Sequence, residues 1–188
     1  MVVRGPAQVI FHREVPLNLR SKRLVVSYSD GEGTDAGVGV AIWAPDLAQP
    51  LAAFICIPRE VRLYWSAQRT SPAKHDIFQI EAIGPLVTLA TWPRIMQDRL
   101  WIHFIDNSAA QSALVKGSSS VMSGDLIIGQ TWETIARRRL LPWFDRVDSG
   151  SNPVDGLSRG KWDGSWREVA EGRLPAQLLH ALRRWHFG

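Results

Sequence analysis

The chain has 188 residues, 45% of them hydrophobic, and a formal net charge of +4. This length and composition predict one domain with a sizeable core, and they exclude a disordered or a fibrous chain. No apolar run approaches the roughly 20 residues that a membrane-spanning helix needs, and no secretory pattern opens the chain. We therefore expect an intracellular protein, in the cytoplasm or the nucleus, whose basic balance permits an anionic partner such as nucleic acid.

The cysteine and tryptophan content adds two expectations about the core. The single cysteine, Cys56, lies in the apolar run 51–57, so we expect a buried and inert thiol. One cysteine allows neither a disulfide framework nor a Cys/His zinc spacing. Nine tryptophans are many for this length. Some of them could stack on bases, but we expect most to fill the core.

The first 58 residues predict an arm followed by three strands. Residues 1–23 are basic and show no clear period, so we expect an N-terminal arm or a linker. The stretch 24–43 predicts two strands joined by a glycine-rich turn. A third strand, 51–57, stops at Pro58, and three consecutive strands with short turns indicate an antiparallel meander.

The middle of the chain predicts a connector, a helix and a strand. Residues 59–75 show no period and predict an irregular connector. A helix is predicted over 76–92, with a kink or a split at Gly84–Pro85, because proline costs about 3 kcal/mol in a helix interior. A fourth apolar strand follows at 100–105.

Two helices and a strand are predicted next. The helix 108–116 is capped by Asn107 or Ser108. The helix 122–140 ends in an arginine triplet, which suits the negative end of a helix dipole. A fifth strand is predicted over 143–147.

The last stretch predicts a short helix and a helical tail. Asn152 can cap a helix that has Pro153 at its first position and Asp155 in its first turn. Residues 161–188 predict a C-terminal helical extension packed on the same domain, with a basic amphipathic helix over 174–185. The whole order predicts an α/β fold: a five-stranded mixed sheet, three antiparallel strands and then parallel crossovers, flanked by helices.

Four carboxylates stand out in this scheme. Asp30 ends the first strand, Glu81 lies on the first helix, Asp106 ends the fourth strand, and Asp155 opens the short helix. Each has an ordinary structural explanation. Asp30 and Asp106 can open turns, Glu81 can be a solvated helix residue, and Asp155 can favour the positive end of its helix.

Taken together, the four carboxylates favour a metal site. Sites in α/β sheets form beyond the carboxyl ends of the strands, where Asp30 and Asp106 both lie. Two carboxylates about 4 Å apart repel by about 4 kcal/mol at an effective dielectric of about 20, so such a cluster needs cations. Oxygen ligands without a Cys/His set indicate Mg²⁺ or Mn²⁺. Two such ions can clamp a phosphodiester, one activating water and the other stabilising the leaving oxygen.

Four segments in order carry a family resemblance: YSDGEGTDAGVGVAIW, QIEAIGPLVTLATWP, FIDNSAAQSALVKGSSS and NPVDGLSRG. Together they resemble the ribonuclease H domain of reverse-transcribing elements, over residues 24–160. The most specific pieces are the Asp–Asn pair before a helix and the closing Asn-Pro-x-Asp-x-x-Ser-Arg. The closing piece is similar to retrotransposon domains of the tyrosine-recombinase type more than to cellular ribonucleases H.

The resemblance implies a ribonuclease H-like fold and a metal-dependent cut of the RNA strand of an RNA–DNA hybrid, leaving a 3′-hydroxyl and a 5′-phosphate. It implies that Asp30 bridges two Mg²⁺ or Mn²⁺ ions. Glu81 and Asp106 would complete the shell of one ion, and Asp155 would help to hold the other.

The resemblance also implies substrate contacts in the minor groove, where 2′-hydroxyls identify RNA. The candidates are Asn107, Gln111, Ser118 and Arg159, although a helix cap and a solvated loop explain most of them better. Many members of the family carry a histidine in the loop before the last aspartate, and the loop 148–154 has none. His180 and His186 lie in the tail and could approach the site from there in its place, although we expect them to be surface or core histidines.

Three functions remain open at this point. The first is an endoribonuclease on hybrids, acting as a monomer or linked to a reverse transcriptase domain. The second is a DNA nuclease or resolvase of the same fold, because the metal chemistry is independent of the sugar. The third is a non-catalytic nucleic-acid-binding module, which an intact acidic quartet disfavours.

Overall fold

The computed structural model describes residues 23–67, 76–162, 164, 166–176 and 178–179. These residues build a six-stranded sheet in the order β5-β4-β1-β2-β3-β6. The strands are β1 (Arg23–Gly31), β2 (Gly37–Trp43), β3 (Leu51–Cys56), β4 (Arg99–Ile105), β5 (Leu141–Arg146) and β6 (Val169–Glu171). The helices are α1 (Arg59–Ala67), α2 (Ile77–Ala82), α3 (Gly84–Thr91), α4 (Ser108–Lys116), α5 (Met122–Arg137) and α6 (Asp155–Ser158).

The strand pairing confirms the predicted α/β class and the mixed sheet. β1, β2 and β3 form an antiparallel meander. β4 pairs in parallel with β1, and β5 in parallel with β4. The predicted count of five strands is wrong, because the short β6 adds in parallel to the outer edge of β3. Three residues are too few to leave a periodic signal in the sequence, so only pairing with β3 reveals this strand.

A helix replaces much of the irregular connector predicted for 59–75. α1 begins directly after Pro58 and buries Val61, Tyr64 and Trp65. These residues are three and four positions apart, which is the spacing of one helix face. The three charged residues in the first four positions of α1 hid the period, so the prediction is wrong as far as Ala67. The rest of the connector lies outside the described residues.

The helices near the site follow the prediction closely. The helix expected over 76–92 is split into α2 and α3 at the glycine–proline pair. Asn107 caps α4, since its Oδ1 accepts a 3.0 Å hydrogen bond from the Ala110 N–H. α5 ends at Arg137, three residues before the predicted end, and Arg139 then adopts a positive φ of 54°.

The cysteine and some of the tryptophans lie outside the core. Cys56 is exposed, so the prediction of a buried thiol is wrong. It ends β3 opposite Gly37, whereas Ala52 on the same face of the strand is buried, so the thiol is exposed because it lies at the end of the strand. Trp65 and Trp101 are buried, whereas Trp143 and Trp162 are exposed, and the other described tryptophans are half-buried.

The main hydrophobic core lies on one face of the sheet, between the strands and helices α1 to α5. Its fully buried members include Val25, Leu86 and Trp101. A smaller cluster on the other face contains Ala41 of β2 and Leu157 of α6. α6 therefore packs against the sheet from the side opposite to the other helices.

The two ends of the chain are described only in part. Arg23 opens β1, and the rest of the predicted arm lies outside the described residues. Most of the predicted tail helix, 174–185, also lies outside them, although Leu178 is buried in the main core. Among the described helices, none has the length and apolar character needed to cross a membrane.

A buried histidine joins β1 to β4 on the core side of the sheet. His103 is fully buried, and its Nδ1 and Nε2 lie 2.7 Å from Ser27 Oγ and 3.0 Å from Ser29 Oγ. The Trp101 Nε1–H donates to the same Ser27 oxygen at 2.6 Å. Burial lowers the pKa of His103 to about 3, so the ring is neutral at physiological pH.

We expect His103 to make the fold sensitive to acid. The pKa of His103 is lower in the folded chain than its ordinary value of 6.5, so the unfolded chain takes up the proton first. Stability from this group is present above about pH 6.5 and is lost as the pH falls toward about 3. Urea unfolding of wild type and His103→Gln, each at about pH 7 and about pH 5, measures this contribution.

Wild type should lose more unfolding free energy between the two pH values than His103→Gln does, whatever the variant's stability at neutral pH. Equal losses in both proteins would contradict the prediction.

Candidate metal centre

Three of the four predicted carboxylates meet at one end of the sheet. Asp30, Glu81 and Asp106 each offer a carboxylate oxygen, and these oxygens all lie within 4.8 Å of one another. Asp30 and Glu81 are buried, and Asp106 is half-buried. We call these three residues the acidic trio.

The parallel pairing of β1 and β4 brings Asp30 and Asp106 together. Ser29 of β1 lies opposite Ile105 of β4, so the next residues, Asp30 and Asp106, leave neighbouring strands at the same edge. The carboxyl ends of parallel strands meet at one edge of a sheet, which is the place predicted for a site.

Glu81 reaches the same place because α2 packs closely on the end of β1. A Cβ at Gly31 would lie 2.9 Å from Ile80 Cγ2 and 3.1 Å from the Glu81 backbone nitrogen. Any larger residue at Gly31 would therefore push α2 outward. A backbone hydrogen bond from Gly31 to the Glu81 carboxylate completes this contact.

Burial and mutual repulsion raise the pKa values of Glu81 and Asp30. The pKa of Glu81 is raised to about 9, mainly by burial and also by the charges of Asp106 and Asp30, and the Gly31 hydrogen bond opposes the shift. Burial raises the pKa of Asp30 to about 6, and its hydrogen bond from Ser158 opposes the shift. The negative charges of this cluster are thus unfavourable until a positive charge joins them.

Two buried oxygens of the trio are available to a cation. Among the described residues, Glu81 Oε2 and Asp106 Oδ1 are buried and have no hydrogen-bond partner. An unsatisfied buried acceptor costs about 1–3 kcal/mol, and a charged one costs more. Hard oxygen ligands without nearby sulfur suit Mg²⁺ or Mn²⁺. The donor set therefore fits the divalent ions expected from the sequence.

The fourth carboxylate, Asp155, is near the trio but does not belong to it. It opens α6 on the other face of the sheet, and its charge contributes to the raised pKa of Asp30. Its Oδ1 accepts a 2.7 Å hydrogen bond from Arg159 Nη2 in an exposed ion pair. In this structure Asp155 is thus paired with Arg159, directly after its own helix.

Two polar residues beside the trio have structural roles that the sequence did not indicate. The buried Ser158 hydroxyl donates a hydrogen bond to Asp30 Oδ2. The Asn152 side chain, predicted as a helix cap, donates from Nδ2 to the Ser29 carbonyl at 3.0 Å. Ser158 follows Asp155 by three positions, which places both on one helix face, and this spacing is the signal that could have found it.

The predicted substrate contacts lie along α4 and at the end of α6. Asn107 caps α4 through Oδ1, Gln111 is half-buried on α4, and Ser118 is exposed after that helix. Arg159 is exposed and paired with Asp155. His180 and His186, offered as replacements for the missing loop histidine, lie outside the described residues.

No family model and no curated protein matches the sequence. Solved structures similar to the chain include RNase H1 from the halophilic archaeon Halobacterium salinarum, 14% identical, with 69% of this chain and 89% of that chain covered at a TM-score of 0.49. Another is LC11-RNase H1, isolated from compost by a metagenomic approach, 11% identical, with 73% and 91% covered at 0.43. At these identities and scores, neither likeness identifies a shared reaction.

We expect Glu81→Gln to stabilise the metal-free protein at about pH 8. The folded chain holds a proton on Glu81 from the ordinary pKa of 4.5 up to about 9, so stability falls as the pH rises through this window. A neutral amide removes that loss. Urea unfolding in the presence of a chelator, at several pH values between about 5 and about 9, measures the difference.

The matched control is Glu168→Gln, which changes the same functional group at an exposed position. Its curve should follow that of wild type. A Glu81→Gln curve parallel to both would show that burial does not penalise the Glu81 charge.

Proposed function

We propose that the chain is a divalent-metal-dependent endoribonuclease that cuts the RNA strand of RNA–DNA hybrids. The observation that carries this proposal is the acidic trio, with its two buried, unpartnered oxygens. Carboxylates crowded in this way favour a divalent cation, and phosphodiester hydrolysis is the reaction class that such centres serve.

The residues would share the work as the sequence resemblance implies. Asp30, near the end of β1, would bridge two ions, and Glu81 and Asp106 would complete the ligands of one. Asp155 would help to hold the second ion, and to do so it would have to break its ion pair with Arg159. When bound, Mg²⁺ or Mn²⁺ ions supply activation of a water and stabilisation of the leaving oxygen.

The choice of a hybrid substrate is supported by the residues around the trio. Asn107 uses Oδ1 to cap α4. Its Nδ2 amide would then donate a hydrogen bond to a 2′-hydroxyl oxygen in the minor groove. Gln111 and Ser118 lie farther along the same helix and just after it. Arg159, once released from Asp155, would contact a phosphate of the backbone.

The closing segment supports a retroelement origin. The segment NPVDGLSRG contains α6, Ser158, which contacts Asp30, and Arg159, which contacts Asp155. It is the piece most similar to retrotransposon ribonuclease H domains. On this proposal the domain works inside the cell, as a monomer or linked to a reverse transcriptase domain.

The test is cleavage of a hybrid with labelled RNA in Mg²⁺ or Mn²⁺, comparing wild type with Asp106→Asn. Wild type should cut the RNA strand and leave a 3′-hydroxyl. The variant should lose at least about a hundredfold in rate, since even a partner outside a metal's ligand set is worth about ten- to hundredfold. Asp148→Asn changes an exposed aspartate of the loop before α6 and should retain activity.

Two further measurements distinguish the alternative functions from the proposed one. Cleavage of duplex DNA in place of the hybrid would identify a DNA nuclease of the same fold. RNA binding without divalent-metal binding, measured by calorimetry, would identify a non-catalytic module. No cleavage by wild type, or equal cleavage by Asp106→Asn, would remove the proposed function.

A further inference from the structure

Ser158 is the polar contact of Asp30 that comes from the opposite face of the sheet. Its side chain is 2% exposed, and its hydroxyl donates to Asp30 Oδ2. The same Oγ lies 2.8 Å from the Asp155 carbonyl oxygen. The hydroxyl carries one proton, so it donates to Asp30 with the Asp155 carbonyl as a competing acceptor at the start of α6.

The backbone around Ser158 is held in place by the sheet. A Cβ at Gly39 would lie 2.7 Å from the Ser158 backbone nitrogen, and a Cβ at Gly37 would overlap the Ser158 carbonyl oxygen. The Asn152 side chain ties the start of this segment to the carbonyl of Ser29, the residue before Asp30. These contacts leave α6 little freedom to move along or away from β1 and β2.

This arrangement restrains the orientation of the Asp30 carboxylate. One oxygen, Oδ2, is held by the hydroxyl. Rotation of the carboxylate would break a charge-assisted hydrogen bond, which is about twice as strong as a neutral one. An oxygen of Asp30 is thereby kept toward Glu81 and Asp106.

A hydroxyl is well suited to this task because it carries no charge. A lysine or arginine donor would neutralise Asp30 and compete with a cation, whereas a serine leaves the negative charge available. The neighbouring Arg159 shows the contrast, since its guanidinium pairs with the exposed Asp155 and not with the trio. The adjacent residues Ser158 and Arg159 thus differ in effect: Ser158 leaves the charge of Asp30 available, whereas Arg159 forms an ion pair with Asp155.

We propose that Ser158 is a positioning residue that orients Asp30 for divalent-cation binding and sets the cation affinity of the acidic trio. The proposal rests on the function proposed above, because it presumes that the trio binds the metal. Ser158 acts through Asp30 and does not itself touch the substrate. Groups that orient metal ligands are typically worth about ten- to hundredfold in metal affinity.

The experiment compares wild type, Ser158→Ala and Ser151→Ala as full chains. Ser151 is an exposed serine of the loop before α6, and its variant is the matched control. Calorimetric titration with Mn²⁺ gives the dissociation constant of each protein, and thermal melting in chelator gives its metal-free stability. Hybrid cleavage is then measured as a function of Mn²⁺ concentration.

Ser158→Ala should bind Mn²⁺ about ten- to hundredfold more weakly, whereas Ser151→Ala should match wild type. The Mn²⁺ concentration for half-maximal cleavage should rise by the same factor. Cleavage at saturating Mn²⁺ should return to near the wild-type rate. A purely structural role predicts a lower melting temperature in chelator with an unchanged Mn²⁺ dissociation constant.

Equal Mn²⁺ affinities of wild type and Ser158→Ala would overturn this inference and leave the proposed function standing. Absence of Mn²⁺ binding by wild type would instead contradict the proposed function, and the inference with it.

Discussion

The repulsion among three carboxylates at one edge of the sheet is the constraint on which the rest of the site depends. Asp30 and Asp106 are brought there by the parallel pairing of β1 and β4, and Glu81 by the close packing of α2 on Gly31. Burial makes this arrangement unfavourable in the metal-free chain, as the raised pKa values of Glu81 and Asp30 show. The surrounding fold must therefore supply the free energy that keeps the carboxylates together, and a divalent cation would return part of it.

The sheet supplies that free energy from both of its faces. On one face the helices close over a continuous apolar core, which contains the neutral His103 and its two serine partners. On the other face α6 packs on the glycines of β2 and brings Ser158 to Asp30. The site thus lies where the two layers meet the end of β1. Its geometry depends on packing that is distant in sequence.

Much of the scaffold could be predicted because its signals are local. The glycine-rich turn, the split at the glycine–proline pair and the Asn107 cap each depend on the conformational preferences of a few adjacent residues. The failures have equally physical causes. Charged residues hid the apolar spacing of α1. The short β6 forms a strand only because it pairs with β3, and Cys56 is exposed because it lies at the end of β3.

The sequence by itself determined which carboxylates are available, the strands and helices that carry three of them, and the α/β class, because these follow from local propensity and period. Only the tertiary structure decided that Asp30, Glu81 and Asp106 converge while Asp155 stays with Arg159. It also decided that Ser158 is the partner of Asp30. Contacts between residues 128 positions apart depend on how strands pair and how closely backbones approach, and no local pattern encodes either.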